Sequence, residues 1–148
     1  MTKTGPKIAV ASDHAGYDLK EKLKAYLASK GYEITDYGTD SDKSTDYADY
    51  VHPLSDALAA GRHDLGMVMC GSGNGVNMTA NKHREIRSAL CWTPEIARLA
   101  RAHNDANVLA LPARFISAEL AMEILEVFLS TSFDGGRHAD RIAKIPCG

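Results

Sequence analysis

The sequence predicts an α/β fold, a doubly wound, Rossmann-like three-layer α/β/α sandwich around a five-stranded parallel sheet. Three observations carry this. Short apolar runs alternate with amphipathic segments, each amphipathic segment is long enough to cross between parallel strands, and no repeat, low-complexity tract or linker interrupts the pattern. The 148 residues, 45% of them hydrophobic and 24% charged, fit a single domain over 1–148. A core of that size needs neither metal nor disulfide for stability.

Lys7–Ser12 is an apolar run of buried-strand type. In the helix that follows, Leu19, Leu23, Tyr26 and Leu27 share a face, with Lys20, Glu21, Lys22 and Lys24 largely off it. Gly31 is placed to end that helix, because glycine accepts the left-handed conformation past a helix terminus. Residues 32–36 read as the second strand, followed by a polar loop over 38–46 and a helix over 48–60 that stops at Gly61. Leu65–Cys70 is the third strand and runs into a glycine cluster; a helix over 76–82 and a short strand over 87–91 come next. Thr93-Pro94-Glu95 starts a helix, with a capping hydroxyl, a proline in the first turn and an acid near the positive end. Ile96, Leu99, Ala100 and His103 share a face of it. Residues 107–111 form the fifth strand, and the last long helix buries Leu120, Ile124, Val127 and Phe128.

Composition excludes several classes of function. A net charge of −2, from 17 basic and 19 acidic residues, gives no bulk attraction for nucleic acid or an anionic membrane. Cys70, Cys91 and Cys147 are too few and too widely spaced for a disulfide framework or a zinc site, so neither metal nor cofactor is expected. The start of the chain lacks the apolar stretch of a signal peptide and no run approaches a membrane span, which makes the cytoplasm the expected compartment.

In parallel α/β sheets ligands bind beyond the carboxyl ends of the strands. This rule points to Asp13 and His14, to the segment from Cys70 to Gly75, and to the residues after Leu111. In the glycine loop, Gly71, Gly73 and Gly75 alternate with Ser72 and Asn74, and the exposed amides at a helix start attract anions. A dinucleotide fingerprint would need glycine at 76, and a cysteine phosphatase arginine there; that residue is Val76, and no Walker lysine follows. What remains is a thiol beside an array of amide donors, suited to abstracting a proton next to a carbonyl and holding the resulting enediolate. A tight turn with a buried cysteine is the plainer alternative.

The other polar groups have two readings each. Asp13 caps the next helix, contacts a ligand, or does both. His103 is a core histidine by its period, or an acid–base group together with Asn104. Arg137 and Arg141, spaced i, i+4, share a helical face able to grip a phosphate, and Arg114 follows the fifth strand; a solvated basic terminus is the alternative. His52, His63 and His83 have no evident partners, and Cys91 and Cys147 read as structural.

Six blocks, taken in order, resemble the type B ribose-5-phosphate isomerases. They are Asp13-His14-Ala15-Gly16, Thr45-Asp46-Tyr47, the run from Cys70 to Gly75, Ala80-Asn81-Lys82, the run from His103 to Leu109, and Gly136-Arg137-His138. That family also holds galactose-6-phosphate and allose-6-phosphate isomerases. The resemblance implies a doubly wound fold, a homodimer (in some members a tetramer) with active sites shared between subunits, and metal-free interconversion of ribose 5-phosphate and ribulose 5-phosphate in the pentose phosphate pathway. It implies that Cys70 moves the proton, that Gly71, Ser72, Gly73, Asn74 and Gly75 hold the enediolate, and that His103 and Asp13 serve ring opening. Asn104 and Tyr47 would contact the sugar, and His14, Arg114, Arg137 and Arg141 the phosphate, some from the partner subunit.

Two departures matter. One branch of the family uses a glutamate just after the loop as base, where this chain has Val76, so Cys70 is the one base carried over. The usual proline after Asp-Tyr is Ala48, which leaves the placement of Tyr47 open. A six-carbon aldose phosphate as substrate, or a non-catalytic phosphosugar-binding role, are the competing functions.

Overall fold

Apolar runs bounded by turn residues become strands, and a computed structural model describes residues 5–147. The domain read over 1–148 extends to residues 1–4 and 148, which lie outside the described residues. In chain order the elements are β1 (Lys7–Ser12), α1 (Tyr17–Ser29), β2 (Glu33–Asp36), α2 (Ala48–Ala59), β3 (Leu65–Cys70), α3 (Asn74–Ala80), β4 (Ser88–Leu90), α4 (Pro94–Asn104), β5 (Val108–Pro112), α5 (Ala118–Ser130) and α6 (Arg137–Ile142). All pairings are parallel, in the order β2-β1-β3-β5-β4.

Strand alternation divides the core into two layers. Ile8, Val10, Met67, Met69, Leu109 and Leu111 pack against Leu19, Leu23 and Leu27 of α1, Ala97 and Ala100 of α4, and Ile124 and Phe128 of α5. On the opposite face Ala9, Ala11, Val68, Cys70, Val108 and Ala110 meet Val51, Leu54 and Leu58 of α2 and Val76 and Ala80 of α3. The three-layer expectation holds. The order reverses between β1 and β3, so the crevice for a ligand opens where Ser12 and Cys70 end their strands.

The helix ends follow the chemistry of their residues. Gly31 (φ 86°) and Gly61 (φ 81°) supply the left-handed turns after α1 and α2. The Thr93 side chain accepts from Ile96 N at 3.2 Å with Pro94 in the first turn. The helix expected over 76–82 instead starts at Asn74, because Gly73 (φ 77°) turns the chain directly into it. The buried stripe of α5 is Ala121, Ile124, Leu125 and Phe128, with Leu120 and Val127 only flanking it.

Three other expectations change. Lys20, read as largely off the apolar face of α1, is fully buried, with Nζ 2.8 and 2.7 Å from the carboxylate oxygens of Asp36 and 2.6 Å from Thr39 O. Burial would raise the Asp36 carboxyl, but hydrogen bonds from Lys20, Lys24 and Gly38 N hold it below its usual value. The histidines thought unpartnered are paired: His52 Nδ1 lies 2.8 Å from His83 Nε2, and His63 Nε2 lies 2.7 Å from Tyr37 Oη. His103 is not in the core, because α4 turns its alanines Ala97, Ala100 and Ala102 inward and leaves the His103 side chain 43% exposed. Among the described residues, no helix is long and apolar enough to cross a membrane.

Candidate active site

A cleft of about 460 Å³ opens at the carboxyl edge, lined by Asp13, His14, Tyr47, Cys70, Ser72 and Arg114 among others. Cys70 is the last residue of β3 and is buried, its backbone tied to β5 by Ala113 N donating to Cys70 O at 2.9 Å. The loop after it owes its path to glycine. A Cβ on Gly73 would meet Leu90 and lie 3.1 Å from the Leu111 carbonyl carbon, and one on Gly75 would enter the Tyr47 ring. The tyrosine therefore sits over the loop, and Ala48 in place of the family's proline does not remove it from the cleft. Ser72 Oγ accepts from Asn74 N at 3.3 Å, closing the turn into α3.

Asp13 works as a turn cap. Its Oδ1 accepts from Ala15 N at 2.9 Å and Gly16 N at 3.1 Å, just ahead of α1. One carboxylate oxygen is committed to the backbone while the residue still lines the cleft. His14 Nδ1 accepts from Thr45 N at 3.2 Å, and the Thr45 hydroxyl lies 2.7 Å from Tyr50 Oη. With Nδ1 accepting, Nε2 is the donor His14 can offer to a ligand oxygen. Arg114 packs on Gly71, and Arg114 N donates to Gly71 O at 2.9 Å.

The remaining expected site residues lie elsewhere. His103 and Asn104 end α4, immediately ahead of β5, whereas Cys70 pairs with Pro112 at the far end of β5. Four residue steps along that strand are about 13 Å, so the two groups occupy opposite edges of the sheet. Arg137 and Arg141 lie on α6 beside α4, and the rings of His103 and His138 stack with centroids 4.3 Å apart. Asn104 O accepts from Arg87 Nε at 3.1 Å. One chain thus holds two separate groups of these residues: a thiol with amide donors and one arginine, and a histidine with two arginines. Cys91 is buried and its thiol is pushed up to about 12 by that burial, whereas Cys147 is exposed.

Sequence reasoning missed Phe115, which lines the cleft with its ring largely exposed, and Asp134, whose Oδ2 lies 4.0 Å from His103 Nε2. An apolar residue directly after Arg114 at a carboxyl edge was the available signal for the first. Nothing local marks the second.

A model of the family described as Ribose/Galactose Isomerase matches residues 8–145. The chain belongs to this family. It is 42% identical over 139 residues to ribose-5-phosphate isomerase B of Escherichia coli, covering 94% of this chain and 93% of that one. Among solved structures it is similar to a ribose 5-phosphate isomerase of Thermotoga maritima, with a TM-score of 0.95 and 52% identity over 97% of this chain and 99% of that one. It is also similar to ribose-5-phosphate isomerase B of Mycoplasma genitalium with bound ribulose 5-phosphate, at a TM-score of 0.89 and 39% identity over 94% and 93% of the two chains. A further family relative, 40% identical over 139 residues with 93% and 91% covered, is the D-erythrulose-4-phosphate isomerase of Pectobacterium atrosepticum.

Proposed function

We propose that this chain, as one isomerase domain, interconverts D-ribose 5-phosphate and D-ribulose 5-phosphate through an enediolate. The observation that carries this is the Cys70 thiol in a cleft that also presents a glycine loop and an arginine. Relatives and a sugar-phosphate complex in the same family support the substrate class.

Cys70, as thiolate, takes the proton from C2 of the open-chain aldose and returns it to C1, while the proton of the C2 hydroxyl passes to the oxygen on C1, so that C2 ends as the ketone. The electrons move onto the carbonyl oxygen, and amides of Gly71, Gly73, Asn74 and Gly75, with the Ser72 hydroxyl, receive that charge; one such donor is worth about 3–4 kcal/mol. Ring opening precedes this step. His103 gives a proton to the ring oxygen as its bond to C1 breaks, and Asp13, through the oxygen not used in its turn, takes the proton of the C1 hydroxyl. Tyr47 and Asn104 bind sugar hydroxyls, while Arg114, Arg137, Arg141 and the Nε2–H of His14 bind the phosphate.

His103, Asn104, Arg137 and Arg141 are assigned to a second copy of the chain, making a homodimer with two shared sites. The separation of the half-sites along β5 supports this, since one chain cannot bring His103 to its own Cys70 without unfolding α4. The enzyme would act in the cytoplasm, in pentose phosphate metabolism.

The test is a coupled assay offering ribose 5-phosphate, allose 6-phosphate, galactose 6-phosphate and D-erythrulose 4-phosphate at equal concentration. The highest kcat/KM is expected for ribose 5-phosphate, and a preference for any other sugar overturns the substrate assignment.

A further inference from the structure

We propose that His103, Asp134 and His138 form a binding site for a divalent transition metal, and that filling it switches the isomerase off. The site stands on geometry alone, while the inhibitory effect rests on the role given to His103 above.

Three backbone segments converge here. His103 lies in the last turn of α4, and Asp134 is pinned beside it because Asp134 N donates to Ala102 O at 2.9 Å. Gly135 (φ 72°) and Gly136 (φ 59°) then reverse the chain, and His138 N donates to Gly135 O at 3.2 Å. This turn lays the His138 ring on that of His103, at 4.3 Å between centroids and 11° between planes. One donor atom from each residue lies within 4.8 Å of the other two. Zinc bonds of about 2.0–2.2 Å set tetrahedral donors roughly 3.3–3.5 Å apart, so the two half-buried rings must turn out of their stack, and the exposed Asp134 must close in, for the three donors to converge on one ion.

Two imidazoles and one carboxylate, with an open fourth position, are the donors of catalytic zinc centres. Imidazole favours zinc, copper and nickel over magnesium or calcium. The charges nearby oppose any cation: Arg137 and Arg141 act on His138, and Arg98 on Asp134. Asp134 supplies the set's one negative charge, so the metal depends on it. A metal on His103 occupies the ring nitrogen that must carry the proton for ring opening, which blocks turnover reversibly.

The test uses the full-length chain and nickel(II), with uptake followed by calorimetry and turnover followed in parallel. Wild type should bind one nickel per chain and lose activity over the same concentrations, and EDTA should restore it. Asp134→Asn and His138→Asn, folded by circular dichroism and each normalised to its own metal-free rate, should need at least ~10-fold more nickel for both effects. No uptake by wild type, or unchanged nickel dependence in both variants, overturns the site. Uptake through Asp134 without loss of turnover overturns the inhibition. A chain that is inactive without metal yet still binds nickel through Asp134 overturns the isomerase reading instead.

Discussion

Arg114 lies against the backbone of Gly71, close enough that a Cβ on the glycine would fall 3.2 Å from both Cδ and Nη1 of the arginine. The glycine thus keeps open the space in which the guanidinium is held beside the Cys70 cleft.

Gly71→Ala should displace Arg114 without touching the thiol. KM for the phosphosugar should rise several-fold with kcat nearly unchanged. Arg114→Gln should raise KM by about 10- to 100-fold, the scale of a lost charged hydrogen bond. Steady-state kinetics on both variants check this; a fall in kcat alone would place Arg114 outside phosphate binding.

Gly73→Ala should act on stability. The residue has φ 77°, which costs a side chain about 1–2 kcal/mol. Its Cβ would also press on the Leu111 backbone, which cannot yield. An unfolding free energy lowered by at least ~1 kcal/mol, measured by denaturant titration, is expected. Gly75→Ala should instead spare stability and impair turnover by moving Tyr47.

The three thiols should separate under alkylation at pH 8. Cys147 is exposed and should react freely, while Cys91, pushed up to about 12, should stay unmodified in the folded chain. Inactivation should persist in Cys147→Ser and be slowed by ribose 5-phosphate. Loss of inactivation in Cys147→Ser would move the sensitive thiol away from Cys70.

Lys20→Met should destabilise the fold by about 2–3 kcal/mol. That is below the usual 3–5 for breaking a buried pair, because Lys24 still reaches Asp36 at 2.7 Å. Since the Asp36 carboxyl is held below 3.8, it adds stability above that pH that is lost as pH falls through its folded value. Acid titration of stability should therefore show a smaller loss in Lys20→Met than in wild type.

The strands and most helix ends were legible because their signals are local: apolar runs, Gly31 and Gly61 past helix ends, Thr93-Pro94 at a helix start. The place of Cys70 at the end of a strand and beside a glycine turn was legible for the same reason. Lys20 was not, since its burial depends on Asp36 and Thr39, sixteen and nineteen residues away. The core alternative for His103 came from the face it shares with Ile96 and Leu99; alanines mark an inward face weakly, and α4 turns Ala97, Ala100 and Ala102 inward instead. The proposed division of the site rests on the parallel pairing of β3 and β5, which puts the end of α4 and the end of β3 at opposite edges of the sheet and shows only once the strands are paired.

Mixing two inactive variants tests the shared site most directly. Cys70→Ala and His103→Asn chains, each purified and nearly inactive alone, are combined under conditions that allow subunits to exchange. Half of the dimers then carry both variants, and each of these has one site with an intact cysteine and an intact histidine. Recovery of about a quarter of the wild-type activity is predicted from this two-fold symmetry. No recovery, after exchange has been shown by mass spectrometry, would contradict a Cys70 site completed by a second copy.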